Sequence, residues 1–578
     1  MQQSENNSIE NIRHSLAHIL ASAVLKKFPK AKLGIGPAID TGFYYDFELP
    51  RQLSQDELPE IEKLMREEIR QHLEFKGEEI TAAGAKKLFK SQPFKLDLIK
   101  EFAKDKKKLT SYQNGEFIDL CRGGHVENTS EINPNAFKLT KIAGAYWRGN
   151  EKNPQLTRIY GAAFKTKEEL ENYLDQTKKA EESDHRVLAE QLGYFMMDED
   201  IGKGLPLWLP KGFMVRKILE DYMFDLERNL GYQHVLTPHI AKEAIYKKSG
   251  HLAHYKEDMF PPLKLDKENY YLKPMNCPHH HVIYKRGKKS YRELPLRIAE
   301  FGTVYRHERS GVLSGLIRAR YFTQNDAHIY VDASHLEKEL VDILALHKKV
   351  YQELEIEDYW YRLSLPDFSK KEKFGDIKNK EMWDAGENAL RAALAKNKLE
   401  FVEGVGEASF YGPKIDIQIK DNFGREDTIA TIQVDFYSAA KFDLSYIDAD
   451  GKEKPVIVIH RAILGSFDRF FAFLLEKTAG KLPFWLAPVQ IMILTINERV
   501  TAYAKHVEDT LREMSIRFET DYRNETIGKK IRDAEMQKVP YIFVIGEKEA
   551  DALKVSVRER GKGDIGQKSL EEFFRMAK

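Results

Sequence analysis

The segment RIAEFGTVYRHERSGVLSGLIRARYFTQNDAHIY, Arg297 to Tyr330, sets the architecture of the chain around it. Leu296–Tyr305 and Tyr321–Tyr330 read as strands, and the residues between are rich in Gly, Ser and Arg. A strand, a polar loop and a second strand predict a returning pair. Several of the candidate strands here alternate, which favours an antiparallel sheet over a doubly wound parallel one. Lys414–Lys420, Ile429–Phe436 and Val456–Ile459 read as further strands of the same kind.

On either side the pattern changes. After Pro483, strands at Val489–Thr495, Ile516–Thr520, Tyr541–Ile545 and Lys554–Val557 alternate with helices near 498–514 and 526–537. That order predicts a small α/β domain with a largely parallel sheet. Residues 166–192 are charged and strongly helix-forming, as suits a helix linking two domains. Ahead of it, 12–28 and 56–73 read as helices, and GIGPAIDTGFYYD (34–46) as turn and strand. The Lys104–Lys108 charge run reads as a solvated face. The expected organisation is α+β and multidomain: an α/β domain over 1–165, a helical linker over 166–192, an antiparallel-sheet domain over 193–483 and an α/β domain over 484–578.

Composition excludes several classes of protein. Hydrophobic residues make up 42% and charged residues 31%, as in ordinary globular proteins, and the net charge of +1 leaves local nucleic-acid-binding patches open. Two cysteines, Cys121 and Cys277, make no disulfide framework and point to a reducing compartment. The first ten residues lack the apolar core of a signal peptide. The richest apolar run, Phe484–Ile496, is interrupted by Pro488 and Gln490 and is too short to span a membrane. A cytoplasmic protein is expected.

Two constellations carry metal-ligand chemistry. Cys277 in KPMNCPHH, His328 in FTQNDAHIY and His460 in VIVIHRAILGS supply one thiolate and two imidazoles. A lone histidine is more often structural than a ligand, but three protein ligands of these types suit zinc and leave a position open for substrate. His14 and His18 lie four apart on one face of a predicted helix, and Cys121 and His125 lie four apart in DLCRGGH. From residue types alone this quartet reads as a second zinc site, though not the HExxH protease pattern, since Ser15 stands in the glutamate position.

KPMNCPHH, the Arg297–Tyr330 segment, FYGPK and HRAILGSFDRF resemble the catalytic core of the threonyl-tRNA synthetases, and the likeness runs from Ile12 to Phe574. The resemblance implies a bacterial-type class II ligase that joins L-threonine to ATP and then to tRNA(Thr). It implies one zinc per chain, on Cys277, His328 and His460, and Mg²⁺ accompanying ATP. FGTVYRHERSG resembles the second class II motif, which puts Arg306 on the α-phosphate, with Glu308 and Phe322 near the adenine and Arg318 near phosphate. GSFDRF resembles the third motif and gives Arg469 to the γ-phosphate. Arg306, Arg469 and Lys414 are thereby the catalytic candidates, and Asp326, Gln324, Tyr411 and Gln433 the threonine-binding ones. GYQHVLTPHI resembles the first motif, whose proline, here Pro238, belongs to a dimer interface, so a homodimer is expected.

The N-terminal region resembles the editing domain of these enzymes. Serine is smaller than threonine and keeps the hydroxyl, so a pocket that reads the hydroxyl admits it, and a second, hydrolytic site is the remedy. The resemblance implies that His14, His18, Cys121 and His125, with Asp119 orienting them, hold water without metal. A related quartet in alanyl-tRNA synthetases uses zinc, so both readings stand at this point. RNETIGKKIRDAEMQKVPY and GEKEADALKVSVRER resemble an anticodon-binding domain, with Asn524, Glu549 and Arg558 at base-reading positions.

Three departures from the family pattern stand out. Many members carry a small ubiquitin-like domain ahead of the editing domain, and here only the residues before Ile12 precede the match. His279 replaces a usual glycine, making a His279-His280-His281 run beside Cys277. Asn325 replaces a usual aspartate, which predicts a modest effect on threonine affinity. A class II ligase for serine or proline fits the zinc set poorly. An inactive RNA-binding relative, or a hydrolase that only edits, would have no need of both arginine motifs.

Overall fold

The protein is described by a computed structural model covering residues 2–105, 107–370, 374, 380–422 and 424–577. It divides into two compact units, Met1–Lys179 and Ala180–Lys578.

In the first unit the helix Gln2–Lys27 buries Leu16, Ile19, Leu20, Ala23 and Val24. They share one core with Phe43, Tyr45 and Phe47 of strand Gly42–Glu48 and with Ile61 and Met65 of helix Leu58–Ile69. The helix face recurs at three and four residues and the strand face at two, so both present an apolar stripe to the same core. The sheet runs Lys32–Leu33, Gly42–Glu48, Gln155–Ala163, Phe137–Tyr146, with Ala38–Ile39 beside the second strand. Phe75–Ile80, Leu109–Asn114 and Phe117–Leu120 make a second, three-stranded sheet. The expected helix-and-sheet layering is realised with antiparallel pairing in both sheets. Of the Lys104–Lys108 run, Lys106 lies outside the described residues; Lys107 pairs with Asp105 and Lys108 with Glu79 at the surface.

The predicted linker helix is two helices, Lys167–Glu182 and His185–Leu192. Asp184 breaks it: its backbone is non-helical and its carboxylate accepts the Arg186 N–H at 2.8 Å, starting a new helix. The second helix then buries His185, Leu188, Ala189 and Leu192 in the core of the second unit.

That unit is built on eight strands in the order Gln233–His234, Leu296–Tyr305, Tyr321–Val331, Ile457–Ser466, Glu426–Asp435, Lys414–Lys420, Tyr359–Leu365, Phe401–Val405. Only the outermost pairs are parallel, so the antiparallel expectation holds for the centre. The strand expected at Val456–Ile459 runs on to Ser466. The polar and glycine residues in HRAILGS obscure its alternation, yet they place His460 mid-strand. Helices Leu336–Glu353, Lys380–Lys396 and Phe467–Thr478 cover one face through Leu340, Leu344, Leu390, Phe470 and Leu474.

The C-terminal sheet is mixed. Phe518–Asp521, Ile491–Thr495 and Tyr541–Ile545 are parallel, while Val555–Glu559 and Gly563–Lys568 return antiparallel. The final strand escaped the sequence reading because it is polar, and Gly561 and Gly563, at φ +83 and +78, form the tight turn before it.

Candidate functional site

A row of side chains crosses the large sheet. His328 stands opposite His460, His460 opposite Gln433 and Gln433 opposite Lys414, each pair in register on neighbouring strands. Side chains two apart on one strand share its face, so Phe322, Gln324 and Asp326 lie on the same side as His328. Cys277 opens the helix Cys277–Tyr284, and its sulfur lies within 4.8 Å of ligand nitrogens of both His328 and His460.

The hydrogen bonds around these histidines fix their tautomers. His280 Nε2 donates to Glu300 Oε2 at 3.1 Å, which leaves His280 Nδ1 to accept from His328 Nδ1 at 2.8 Å. His460 Nε2 donates to Asp435 Oδ2 at 2.8 Å. His328 Nε2 and His460 Nδ1 therefore each keep a lone pair, the arrangement seen where a carboxylate orients a metal-binding imidazole. Burial pushes the Cys277 thiol well up, with the Asp326 and Asp435 charges adding to it. Glu300 is itself held by Lys273 at 3.2 Å and by Thr237. His251 reaches the cluster too, its Nε2 3.1 Å from Met275 Sδ and 3.9 Å from Cys277 Sγ.

The substrate candidates gather around this cluster. Tyr411 donates its hydroxyl hydrogen bond to Gln433 Oε1, and its ring lies 5.3 Å from that of His460. Asn276 Nδ2 donates to Asp326 Oδ2 at 3.0 Å. Lys414 bonds both oxygens of the buried Asp416 at 2.7 Å. Asn325 corrects its expected role. Its side chain points to the opposite face of the sheet, where Nδ2 donates to the buried Glu227 at 2.8 Å and Oδ1 lies 3.5 Å from Arg461. It therefore does not share the face of Asp326 and His328. His279, buried against Lys273 and Tyr246, is held down to about 4 by burial and by the Lys273 charge.

The arginines lie beside this pocket. Arg306 rests 5.2 Å above the Phe322 ring and donates to the Pro274 carbonyl at 3.5 Å. Burial pulls its guanidinium down despite Glu308, Tyr255 and Asp258, and nearby Arg469 adds to the shift. An arginine so placed stays charged, so it is a half-buried, partly desolvated cation. Arg318 pairs with Glu308 at 3.1 Å, and Arg469 with both oxygens of Asp427 at 2.6 Å.

The first unit holds the second cluster. Cys121 Sγ lies 3.4 Å from His14 Nε2 and 3.3 Å from His125 Nε2, and the His18 ring is 4.3 Å from that of His125. Gly123 and Gly124, at φ +98 and +85, fold the chain back so that His125 meets Cys121; a side chain at Gly123 would also run into the Tyr112 hydroxyl. Ser15 Oγ accepts the Val126 N–H at 3.1 Å and bonds His125 Nδ1 at 3.2 Å. Asp119 is buried beneath, 2.6 Å from Lys95 Nζ and 4.0 Å from His18, and accepts from Tyr45 at 2.5 Å. Burial and the neighbouring histidines push His125 down to about 2, burial drives His18 well below its ordinary value, and burial lifts Cys121 to about 11.

Sequence comparison decides which family builds these two sites. Residues 261–478 match the tRNA synthetase class II core domain (G, H, P, S and T), 490–578 the anticodon binding domain, and 109–160 the threonyl and alanyl tRNA synthetase second additional domain. A protein named threonine–tRNA ligase from Oceanobacillus iheyensis is 45% identical over 99% of this chain and 88% of its own length. Threonine–tRNA ligase 1 of Bacillus subtilis is 43% identical over 100% of this chain and 89% of its own. The chain belongs to the threonyl-tRNA synthetase family. Among solved structures, the RNA binding domain of a threonyl-tRNA synthetase from Cryptosporidium parvum aligns with a TM-score of 0.63 at 38% identity, covering 68% of this chain and 97% of that one. A putative threonyl-tRNA synthetase from Aeropyrum pernix aligns at 0.60 and 29%, covering 68% and 94%.

This threonyl-tRNA synthetase relative carries a class II core, an editing-type domain and an anticodon-binding domain in one chain. Among the anticodon candidates Asn524 is exposed, Glu549 caps the helix Glu547–Ala552 by accepting the Gly546 N–H at 3.0 Å, and Arg558 lies 3.5 Å from Glu535. Lys95, His251 and His280 were missed in the sequence. Lys95 sits in an amphipathic helix where a lysine normally faces water, and His280 is one of three consecutive histidines with nothing to single it out.

Proposed function

We infer that this chain activates L-threonine with ATP, transfers it to tRNA(Thr) and hydrolyses mistakenly formed seryl-tRNA(Thr). The observation that carries the reading is the in-register row His328, His460, Gln433 with Cys277 at its end. The donor set fits zinc: one thiol sulfur, with two imidazole lone pairs left free by Glu300, through His280, and by Asp435. Cys277, His328 and His460 would hold the zinc, which would supply a Lewis acid for the amino and hydroxyl groups of threonine, a pair that valine cannot match.

The residues of the chain do the rest. Asp326 takes the amino group of threonine, Gln324 lines the same face, and Gln433 and Tyr411 close the pocket beside His460. Activation joins a carboxylate oxygen of threonine to the α-phosphorus and breaks its bond to the pyrophosphate oxygen. Negative charge then builds on the phosphoryl oxygens, which Arg306 meets as a cation partly shielded from water. Phe322 and Glu308 hold the adenine, and Arg318 and Lys414 lie along the phosphates. Arg469 exchanges Asp427 for the γ-phosphate, and Mg²⁺ arrives with ATP.

In the editing domain the quartet works without metal. Histidines with basicity this low take up a proton poorly, so they hold water by hydrogen bonds against the seryl ester. Asp119 sets the direction of the ring edges through His18. Asn524, Glu549 and Arg558 read the anticodon. The chain forms a homodimer through the helix Pro210–Asn229 and the segment after it, where Phe213, Met214, Phe224, Leu230 and Leu236 are exposed, Leu236 at 87%. Two free cysteines suit a reducing cytoplasm, and no described helix is long and apolar enough to cross a membrane.

The test is ATP–pyrophosphate exchange with threonine, serine and valine on protein of known zinc content. Exchange with threonine, weaker exchange with serine, none with valine and one zinc per chain are expected. Exchange with valine, or full exchange in metal-free protein, would overturn the discriminating role of the metal.

A further inference from the structure

We propose that His185 is a positioning residue for ATP, tying the loop between strands Leu296–Tyr305 and Tyr321–Val331 to the far end of helix Phe467–Thr478. The proposal rests on reading Arg306, Glu308 and Arg318 of that loop as nucleotide-binding groups.

His185 is the first residue of its helix and is 1% exposed. Its Nε2 accepts the backbone N–H of Leu316 at 3.2 Å. That bond leaves the proton on Nδ1, which donates to Glu476 Oε1 at 2.7 Å. Glu476 also accepts the His185 backbone N–H at 3.3 Å, so one carboxylate holds both ends of the residue. Glu476 lies near the end of the helix that carries Arg469, and Leu316 lies two residues before Arg318. One imidazole thus spans the two segments that supply the arginines.

The loop is shaped to receive this ring. Leu316 is buried in the main core, and a turn at Ser314 is closed by the N–H groups of Ile317 and Arg318 at 3.0 and 3.2 Å. Gly315 sits at φ +48, and a Cβ there would lie 2.2 Å from His185 Nε2. Only glycine leaves room for the imidazole to reach the Leu316 N–H. Beyond the turn, Arg318 pairs with Glu308 and Arg320 donates to the Glu308 carbonyl at 3.0 Å. The bond to His185 therefore restrains the exposed, charged part of the loop from beneath. Without it the loop still has Leu316 as an anchor but loses its fixed orientation, which ATP must then restore on binding.

A cation site is the competing reading, since ligand atoms of Asp184, His185 and Glu476 lie within 4.8 Å of one another. These groups are already spent. Asp184 caps its helix and pairs with Arg186 at 2.6 Å, and the one lone pair of the imidazole faces Leu316. A metal would have to break these bonds.

The experiment is ATP–pyrophosphate exchange by the full chain, varying ATP at saturating threonine and threonine at saturating ATP. Losing a buried bond that organises the loop should raise the ATP KM of His185→Ala about tenfold, while the threonine KM stays within about twofold. His185→Gln, whose amide can both accept and donate, should recover most of the ATP affinity. Glu476→Gln keeps the acceptor and loses the charge, so a rise of about threefold is expected, which serves if the alanine variant fails to fold. Unchanged ATP KM in these variants, or equal rises for both substrates, overturns the proposal. Arg318→Ala separates the two ideas. If it raises the ATP KM and the His185 variants do not, the positioning role alone fails; if it has no effect, the nucleotide reading of the loop fails and the proposal with it.

Discussion

His328 and His460 face one another in register across adjacent antiparallel strands, their ring centroids 4.5 Å apart. Two residues separated by most of the catalytic core are thereby held by backbone hydrogen bonds rather than by loops, which gives a ligand pair little freedom to drift. The same rigidity makes the outer partners of each ring testable.

Asp435→Asn removes the charge that orients His460 and keeps an acceptor in place. Zinc affinity should fall about tenfold, within the range for such second partners of a metal site. Competition with a chromogenic chelator measures it, and His280→Ala should produce a similar loss through His328. Unaltered zinc affinity in both variants would mean that these hydrogen bonds do not set the ligand geometry.

Asn325→Asp should lower stability and leave threonine binding alone. The Asn325 amide donates to Glu227, and a carboxylate in its place would set two anions together in a fully buried site. A loss of about 1–3 kcal/mol is expected from the missing donor, with Arg461 compensating in part. Thermal unfolding and the threonine KM, measured together, check this; a changed KM at unchanged Tm would return Asn325 to the substrate face.

Lys95→Ala should impair editing selectively. The lysine is buried against Asp119 at 2.6 Å, and removing it leaves a carboxylate unpaired beneath the quartet. Hydrolysis of seryl-tRNA(Thr) should drop by about tenfold or more, because the uncompensated carboxylate disturbs the side chains packed over it. Threonine-dependent pyrophosphate exchange should be unaffected, and equal losses in both assays would indicate general unfolding instead.

Acid should weaken the first unit before it affects the sites by direct protonation. His125 is held at about 2 in the folded chain against an ordinary 6.5, and His18 is lowered as well. Below about pH 6.5 the unfolded chain binds protons that the folded one refuses, so stability falls as pH falls, by at most about 1.4 kcal/mol per pH unit for each histidine, less for the half-buried His125. Hydrogen exchange of helix Gln2–Lys27 between pH 7 and pH 5 reads this out, after correction for the intrinsic exchange rate. Flat protection across that interval would show that the quartet is charged, or metal-bound, already at neutrality.

Much was legible from residue order. The strands Leu296–Tyr305 and Lys414–Lys420 were bounded correctly, and in the second Ile415, Ile417 and Ile419 alternate with polar residues, a local signal of strand. Residue chemistry was legible as well: a thiol and imidazoles in these contexts specify a kind of site before any distance is known. The fold had to supply the side each residue faces. Alternation says that Asn325 and Asp326 point oppositely, but packing decides which of the two faces the pocket, and it sends Asn325 to Glu227 and Arg461. Packing also chose His280 from three neighbouring histidines, buried Lys95 beneath Asp119, and broke the linker at Asp184 so that His185 could enter the core. Those outcomes depend on partners tens to hundreds of residues away, and no local pattern records a hydrogen bond whose other half lies in a different part of the chain.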